Sequence, residues 1–168
     1  MADKEPVAEL LPLSSAGSTV TQWADATGHL AQSFTFWLAS VRPDGRPHVM
    51  PVLGAWQDGA MYICTPGVTR KAKNLTGNPN CVVTVGRGTL DLVIEGKATQ
   101  VSEEAELKAV GEAYTGKYNW KVTLRDGAFF ADNGSGIGEI PYSVFRITPT
   151  TGFGLGTENG FSATRWTF

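Results

Sequence analysis

From Phe34 to Val101 the chain alternates short apolar, aromatic and β-branched runs with tight-turn signals, and this rhythm constrains the fold more than any other feature. Residues 34–41 read as a strand. Asp44-Gly45 supplies the backbone freedom a hairpin needs, and residues 48–56 read as the returning strand. Gln57-Asp58-Gly59 turns the chain into a third strand at 60–64. Residues 81–85 and 90–101 form a fourth and a fifth across Gly86 to Gly88, and 142–147 and 162–168 a sixth and a seventh. Successive strands joined by tight turns are antiparallel. The expected fold is mainly β (α+β), a six- to seven-stranded antiparallel barrel with a few helices, since closure removes the sheet edges.

Helices fill the gaps. Residues 19–32 carry a stripe through Val20, Trp23, Ala26 and Leu30, weakened by Gly28. In residues 68–76, Val68, Ala72 and Leu75 fall at i, i+4 and i+7, one buried stripe. Ser102 is an apt N-cap for a helix reaching about Tyr114, with Glu103 and Glu104 in its first turn. Residues 115–140 mix Trp120, Phe129 and Phe130 with Gly and Asp, and read as a short helix followed by a long, mobile loop. Residues 1–18 read as an N-terminal arm, and 19–168 as one domain.

The 168 residues are 42% hydrophobic, enough for one core, and only 18% charged with 20 glycines, as in β-rich folds. A net charge of -2 argues against nucleic acid as partner. No stretch has the length of a membrane span or a signal-peptide core. Two cysteines make no disulfide framework, so Cys64 and Cys81 read as free thiols and the protein as cytoplasmic.

The stretch from Cys64 to Leu75 carries the strongest chemical signal. A strand end turns directly into a basic helix start. Free backbone N–H groups, the positive end of the helix dipole, and Thr69, Arg70 and Lys71 can converge there on one anion. Taken alone, Arg70 and Lys71 are equally well solvated surface charges; their position directly after a strand and a Gly-containing turn favours anion binding. Lys73 reads as solvated. His48 and His29 have no Cys or Asp at ligand spacing and read as satisfied structural histidines, so no metal site is expected. Cys64 reads as a small apolar packed residue rather than a nucleophile. Asp91 and Glu95 share one strand face, either as an acid/base pair or, more commonly, as a charged outer surface. Trp37 and Trp56 read as core or as a dimer seam. Trp166 reads either as core or as a flat wall that can stack on a conjugated ring. Tyr118 and Trp120 are candidates for lining a substrate pocket, with Tyr118 or a water as proton donor.

The segments Trp37-Leu-Ala-Ser-Val-Arg-Pro-Asp-Gly-Arg-Pro-His48, Pro51 to Trp56, Thr69-Arg-Lys-Ala-Lys-Asn-Leu75 and Ile94-Glu-Gly96 together resemble the flavin-binding split β-barrel superfamily, the pyridoxamine 5′-phosphate oxidase-like proteins. The ending Phe161-Ser-Ala-Thr-Arg-Trp-Thr-Phe168 is similar to that of actinobacterial members that use the deazaflavin coenzyme F420. The resemblance implies a split barrel and places Thr69, Arg70 and Lys71 at the phosphate clamp, with Lys71 and Asn74 matching the deazaflavin branch. It places Met50, Pro51, Val52, Cys64 and Thr65 beside the ring. It implies a homodimer with cofactor sites at the interface, Arg165 and Trp166 reaching the partner's site. Met50 stands where the oxidase has an arginine, Asp91 stands near its ring-contacting glutamine, and the oxidase's substrate-binding Arg and His have no counterpart here. Oxidation of pyridoxamine phosphate itself is therefore not implied. The implied activity is hydride transfer between F420, or FMN, and a small conjugated organic substrate; the alternative is a non-catalytic binder of flavin, deazaflavin or haem.

Overall fold

The computed structural model describes residues 5–132, 138–158 and 160–168. In chain order the elements are β1 (Val7–Leu10), α1 (Trp23–Gln32), β2 (Phe36–Val41), β3 (Pro47–Val52), β4 (Gly54–Gln57), β5 (Ala60–Pro66), α2 (Arg70–Gly77), β6 (Asn80–Arg87), β7 (Leu90–Gln100), α3 (Glu104–Tyr118), β8 (Thr123–Arg125), β9 (Ala128–Asp132), β10 (Glu139–Gly156) and β11 (Ser162–Thr167). Every ladder between these strands is antiparallel. One path runs β1-β11-β10-β7-β6-β2-β3, and the β4–β5 and β8–β9 hairpins join it through β10.

The 18-residue β10 is the spine. Along one edge it pairs with β5 through residues 142–147 and then with β11 through 151–156; along the other it pairs with β9 and then β7. Dividing one long strand between two partners splits the barrel. At Thr150 the register slips between Pro149↔Gly96 and Thr151↔Glu95. Pro149 has no N–H to give the ladder, so a bulge suits it. Gly96 is required opposite, because a Cβ there would lie 2.5 Å from the Thr148 carbonyl oxygen.

The mainly antiparallel β class and split-barrel architecture are as expected, but the described residues form eleven strands rather than six or seven. Residues 48–56 are two strands: β3 pairs with β2, and at Leu53 the chain leaves that ladder for β4, which pairs with β5. The arm contributes β1, an edge strand on β11. Within residues 115–140, α3 continues to Tyr118 and a β8–β9 hairpin follows; residues 133–137 of that stretch lie outside the described residues. Residues 148–156 continue β10.

Helix boundaries also shift. The first helix starts at Trp23 rather than Thr19. Thr69 caps α2, so Val68 precedes the helix and is 80% exposed; Ala72, Asn74 and Leu75 are its buried residues. Glu103, not Ser102, sits at the α3 N-cap position, with no side-chain cap.

Two cores result. The first gathers Phe36, Leu38, Met61, Ile63, Val83, Ile94 and Ile147 under α1 and α2; the second gathers Tyr62, Val101, Val144 and Phe129 under Leu107, Val110 and Tyr114 of α3. Side chains alternate across a strand, so β5 sends Met61 and Ile63 into one core and Ala60 and Tyr62 into the other. It is the wall both share. Asp91 and Glu95 lie on the exposed face of β7, which is the surface reading.

Candidate functional site

The far end of β5 opens a cavity of about 460 Å³, within the usual range for small-molecule sites. Pro51, Val52 and Leu53 from the end of β3 form one side, and Cys64, Thr65 and Pro66 of β5 the floor. Tyr118 and Trp120 near the end of α3, and Tyr142 of β10, form an aromatic side, while Lys71 of α2 reaches the edge. Trp120 and Tyr142 meet edge to face at 5.0 Å.

The walls are tied down by buried polar contacts. The Tyr114 hydroxyl lies 3.0 Å from the Leu53 carbonyl and 3.2 Å from that of Tyr62. The Tyr118 hydroxyl lies 2.8 Å from the Gly54 carbonyl and 2.9 Å from that of Phe34, and accepts from the Gly54 N–H at 3.0 Å. With its proton directed at backbone carbonyls and one backbone N–H donating to it, Tyr118 is a positioning group and not the free proton donor considered from sequence. Burial pushes the Cys64 thiol up to about 12, so it is neutral and no nucleophile.

At the basic end, Thr69 is the N-cap of α2, accepting from the Ala72 N–H, and its hydroxyl lies 3.0 Å from that of Thr65. The N–H groups of Arg70 and Lys71 have no intrahelical acceptor. Arg70 is exposed and Lys71 half-buried; neither makes an ion pair among the described residues. Burial lowers the pKa of Lys71. An ammonium taken out of water without a carboxylate is a standing attraction for an anion.

The sequence-derived candidates divide. Pro51, Val52, Cys64, Thr65 and Lys71 converge on the cavity. Thr69 and Arg70 flank it at the helix start. Met50 is exposed on β3 and does not line it. Asn74 is buried on the sheet side of α2, its amide donating to the Ser40 hydroxyl at 3.0 Å, so it anchors the helix. Arg165 lies on β11 and pairs with Glu9 of β1. Trp166 needs correction: it is fully buried in the first core against Trp23, 5.1 Å away, and over Gly152 and Gly154, and so presents no ring to a neighbouring subunit. Trp37 is half-exposed on the outer face and is not core. Trp56 packs edge to face on Trp23 at 5.6 Å.

Sequence reasoning missed Leu53, Pro66 and Tyr142, which only the break after β3 and the β5–β10 pairing bring to the cavity. It also misjudged His48. The imidazole Nδ1 is buried without a hydrogen-bond partner, and burial, then Arg42, Lys71 and Arg70, hold its pKa down.

A second cleft, about 560 Å³, lies beside α1 and is lined by hydroxyls with Asp25, Glu158 and His29. It lacks both aromatic walls and a basic helix start, so it is a poorer match for a phosphorylated ring. Among the described residues no group of three His, Cys, Asp or Glu could hold a metal ion, and no helix is long and apolar enough to cross a membrane.

The family model described as pyridoxamine 5′-phosphate oxidase matches residues 25–156. The chain belongs to this family. Solved structures agree on the fold. A conserved hypothetical protein from Mycobacterium tuberculosis is 22% identical over 90% of this chain and 88% of its own, with a TM-score of 0.62. An F420 reductase is 20% identical over 74% and 93%, with a TM-score of 0.53. A heme binding protein from Mycobacterium smegmatis is 15% identical, with a TM-score of 0.66; the match covers 87% of this chain and 59% of that one. No curated protein matches the chain in sequence.

Proposed function

We propose that this protein is an oxidoreductase that moves a hydride between a flavin-type cofactor, F420 or alternatively FMN, and a small conjugated organic molecule. The observation that carries this reading is one cavity joining a basic helix start to an apolar, aromatic slot. Family membership and the fold shared with an F420 reductase support the same class of cofactor.

The residues present fit such a group. Lys71 would hold the phosphate from the cavity edge and Arg70 from the solvent side, with the α2 backbone N–H groups between them. Pro51, Val52, Cys64 and Thr65 would border the ring, and Trp120 and Tyr142 would give a planar substrate a surface to lie against. The hydride chemistry is the cofactor's own. This chain's part is to fix the ring's position, shield one face from water and align the substrate. Free thiols at Cys64 and Cys81 suit a reducing cytoplasm.

A homodimer belongs to the same proposal. Trp37, Val41 and Val49 are exposed and share one face of the β2–β3 ladder, with Pro51 paired opposite Trp37. Apolar surface of this kind marks an interface, and Pro51 belongs both to that face and to the cavity rim.

Titration with F420 and with FMN, followed by ring fluorescence, tests the reading. One of the two should bind with micromolar affinity or better, and Lys71→Ala should weaken it at least about tenfold. Failure of both to bind removes the proposal. A second reading, a non-catalytic binder of flavin, deazaflavin or haem, is favoured by one observation: Tyr118, the candidate donor on the cavity wall, has its hydroxyl committed to backbone. Cofactor that binds yet stays reduced in the presence of enones and quinones would select it.

A further inference from the structure

The aromatic side of the cavity is a fixed surface. Asn119 ends α3 in the left-handed region, with φ of 51°, a conformation asparagine tolerates. The chain turns there, and Trp120 folds back along the helix it follows. The Thr115 hydroxyl donates to the Trp120 carbonyl at 3.2 Å, and the indole lies 5.8 Å from the Tyr114 ring and 5.0 Å from that of Tyr142. Tyr142 is itself held in β10, paired with Pro66 of β5 and Phe129 of β9. Rings pinned in this way offer contact area with little conformational entropy left to lose on binding.

Charge is distributed unevenly around the same cavity. Among the described residues that line it, Lys71 alone is charged, and it belongs to the first turn of α2. No carboxylate and no second cation line the aromatic side. Pro51 and Pro66 have no N–H to offer, the Thr65 hydroxyl is shared with that of Thr69 at 3.0 Å, and the Tyr118 hydroxyl is directed at backbone carbonyls.

Resting on the cofactor reading above, we infer that Trp120 and Tyr142 form a substrate subsite that sorts by charge: it takes an uncharged, electron-poor planar ring of the quinone or enone class and refuses the same ring carrying a carboxylate or phosphate. With Lys71 given to the cofactor phosphate, no lining cation is left for a second anion. A substrate carboxylate set against Trp120 would exchange water for apolar and aromatic surface without gaining a partner. A neutral ring gives up little water and gains stacking, and an electron-poor ring complements the negative π-faces of indole and phenol. Trp120 sets the preference. Leu53, on the β3 side and 41% exposed, is a position where it can be altered without disturbing a core.

Equilibrium dialysis against protein loaded with oxidised cofactor measures the preference without turnover. The probes are tetramethylbenzoquinone, the same ring with a propanoate in place of one methyl, and the methyl ester of that acid, which is neutral but bulkier. At about pH 7 the acid is ionised, and both neutral rings should bind at least about tenfold more tightly than it does. Trp120→Ala should weaken the neutral rings about tenfold and Trp120→Phe much less, with cofactor affinity in both variants within about twofold of native. Leu53→Lys, which adds a cation at the rim, should narrow the gap between ester and acid to about threefold or less. Acid that binds as tightly as the ester would overturn the inference, as would a gap unchanged in Leu53→Lys. A well-folded Trp120→Ala protein that holds the neutral rings as well as native, or that loses cofactor instead, would overturn it too. If cofactor binds but none of the three rings does, the subsite falls and the cofactor site stands; if neither F420 nor FMN binds, both fall.

Discussion

Replacing Lys117 by methionine should remove a contribution to stability that grows between about pH 7 and pH 9.5, read as the difference between the two proteins' pH profiles. The Lys117 ammonium leaves the end of α3, donates to the carbonyls of Gly54 at 2.9 Å and Leu30 at 3.3 Å, and lies over the rings of Phe36 at 5.0 Å and Tyr118 at 5.5 Å. No carboxylate pairs with it among the described residues. Burial pushes its pKa down from 10.5 to about 8. The unfolded chain therefore holds more protons than the folded one between those values, and stability climbs as pH rises through them. The whole displacement corresponds to about 3 kcal/mol, of which somewhat more than half is recovered between about pH 7 and 9.5. The side chain is only half-buried, and solvent screening reduces the recovered part to about 1 kcal/mol. Urea unfolding followed by tryptophan fluorescence, at both pH values, measures it. Cys64 and Cys81, both pushed up to about 12, also shift stability with pH in the alkaline range, but equally in both proteins, so they cancel in the difference. Parallel pH profiles for the native protein and Lys117→Met, or a steeper rise in the variant, would refute the reasoning.

Thr69→Ala removes the α2 cap and should cost about 1 kcal/mol in the same unfolding assay, while weakening cofactor binding through a frayed helix start. Gly154→Ala places a Cβ 2.5 Å from the Trp166 ring and should cost about 1–3 kcal/mol of overpacking, visible as a lower thermal midpoint and altered near-ultraviolet dichroism. Trp37→Glu puts a charge on the exposed outer face and should yield monomers by sedimentation equilibrium with the fold retained; a native protein that is already monomeric at tens of micromolar would remove the dimer proposal.

Much of the sheet was legible because strands such as β2 and β7 bury one face, leaving alternation in the sequence. Thus β2 reads Phe36, Leu38 and Ser40 inward and Trp37 and Val41 outward. The break at Leu53 was hidden, because Pro51-Val-Leu-Gly-Ala-Trp56 is apolar throughout. What divides it is a change of partner from β2 to β5, which local sequence does not encode. The second half of β10 looked like loop because Pro149, Gly152, Gly154 and Gly156 all disfavour strand. Two of those glycines are explained by Trp166, whose ring occupies the space their side chains would fill. The same fact reverses the reading of Trp166 itself. The β8–β9 hairpin was readable from Asp126-Gly127, with φ of 50° and 71°, the signal already used at Asp58-Gly59. At the site, the strand-to-helix handover showed the anion end, because a basic helix start is a local feature. The aromatic end was less legible, since Tyr118, Trp120 and Tyr142 come from separate parts of the chain brought together by tertiary packing.

The placement of the cavity follows from β5. A strand buried on both faces cannot end in solvent without exposing apolar surface on two sides, and here it ends between two cores that do not merge. The gap between them is the cavity. On the α3 side three contacts to Leu53 and Gly54, from Tyr114, Lys117 and Tyr118, hold the wall rigid. On the β3 side Pro51 and Leu53 are exposed with no covering element among the described residues. A site fixed on one side and uncovered on the other can bind a charged tail at α2 but cannot by itself exclude water from a ring. Hydride transfer, as proposed, therefore requires a second surface over β3, and the proposed dimer through Trp37 and Val49 would supply that surface from another protomer. Loss of turnover in a well-folded Trp37→Glu monomer that still binds sulfate would separate the two duties, binding by one chain and shielding by two.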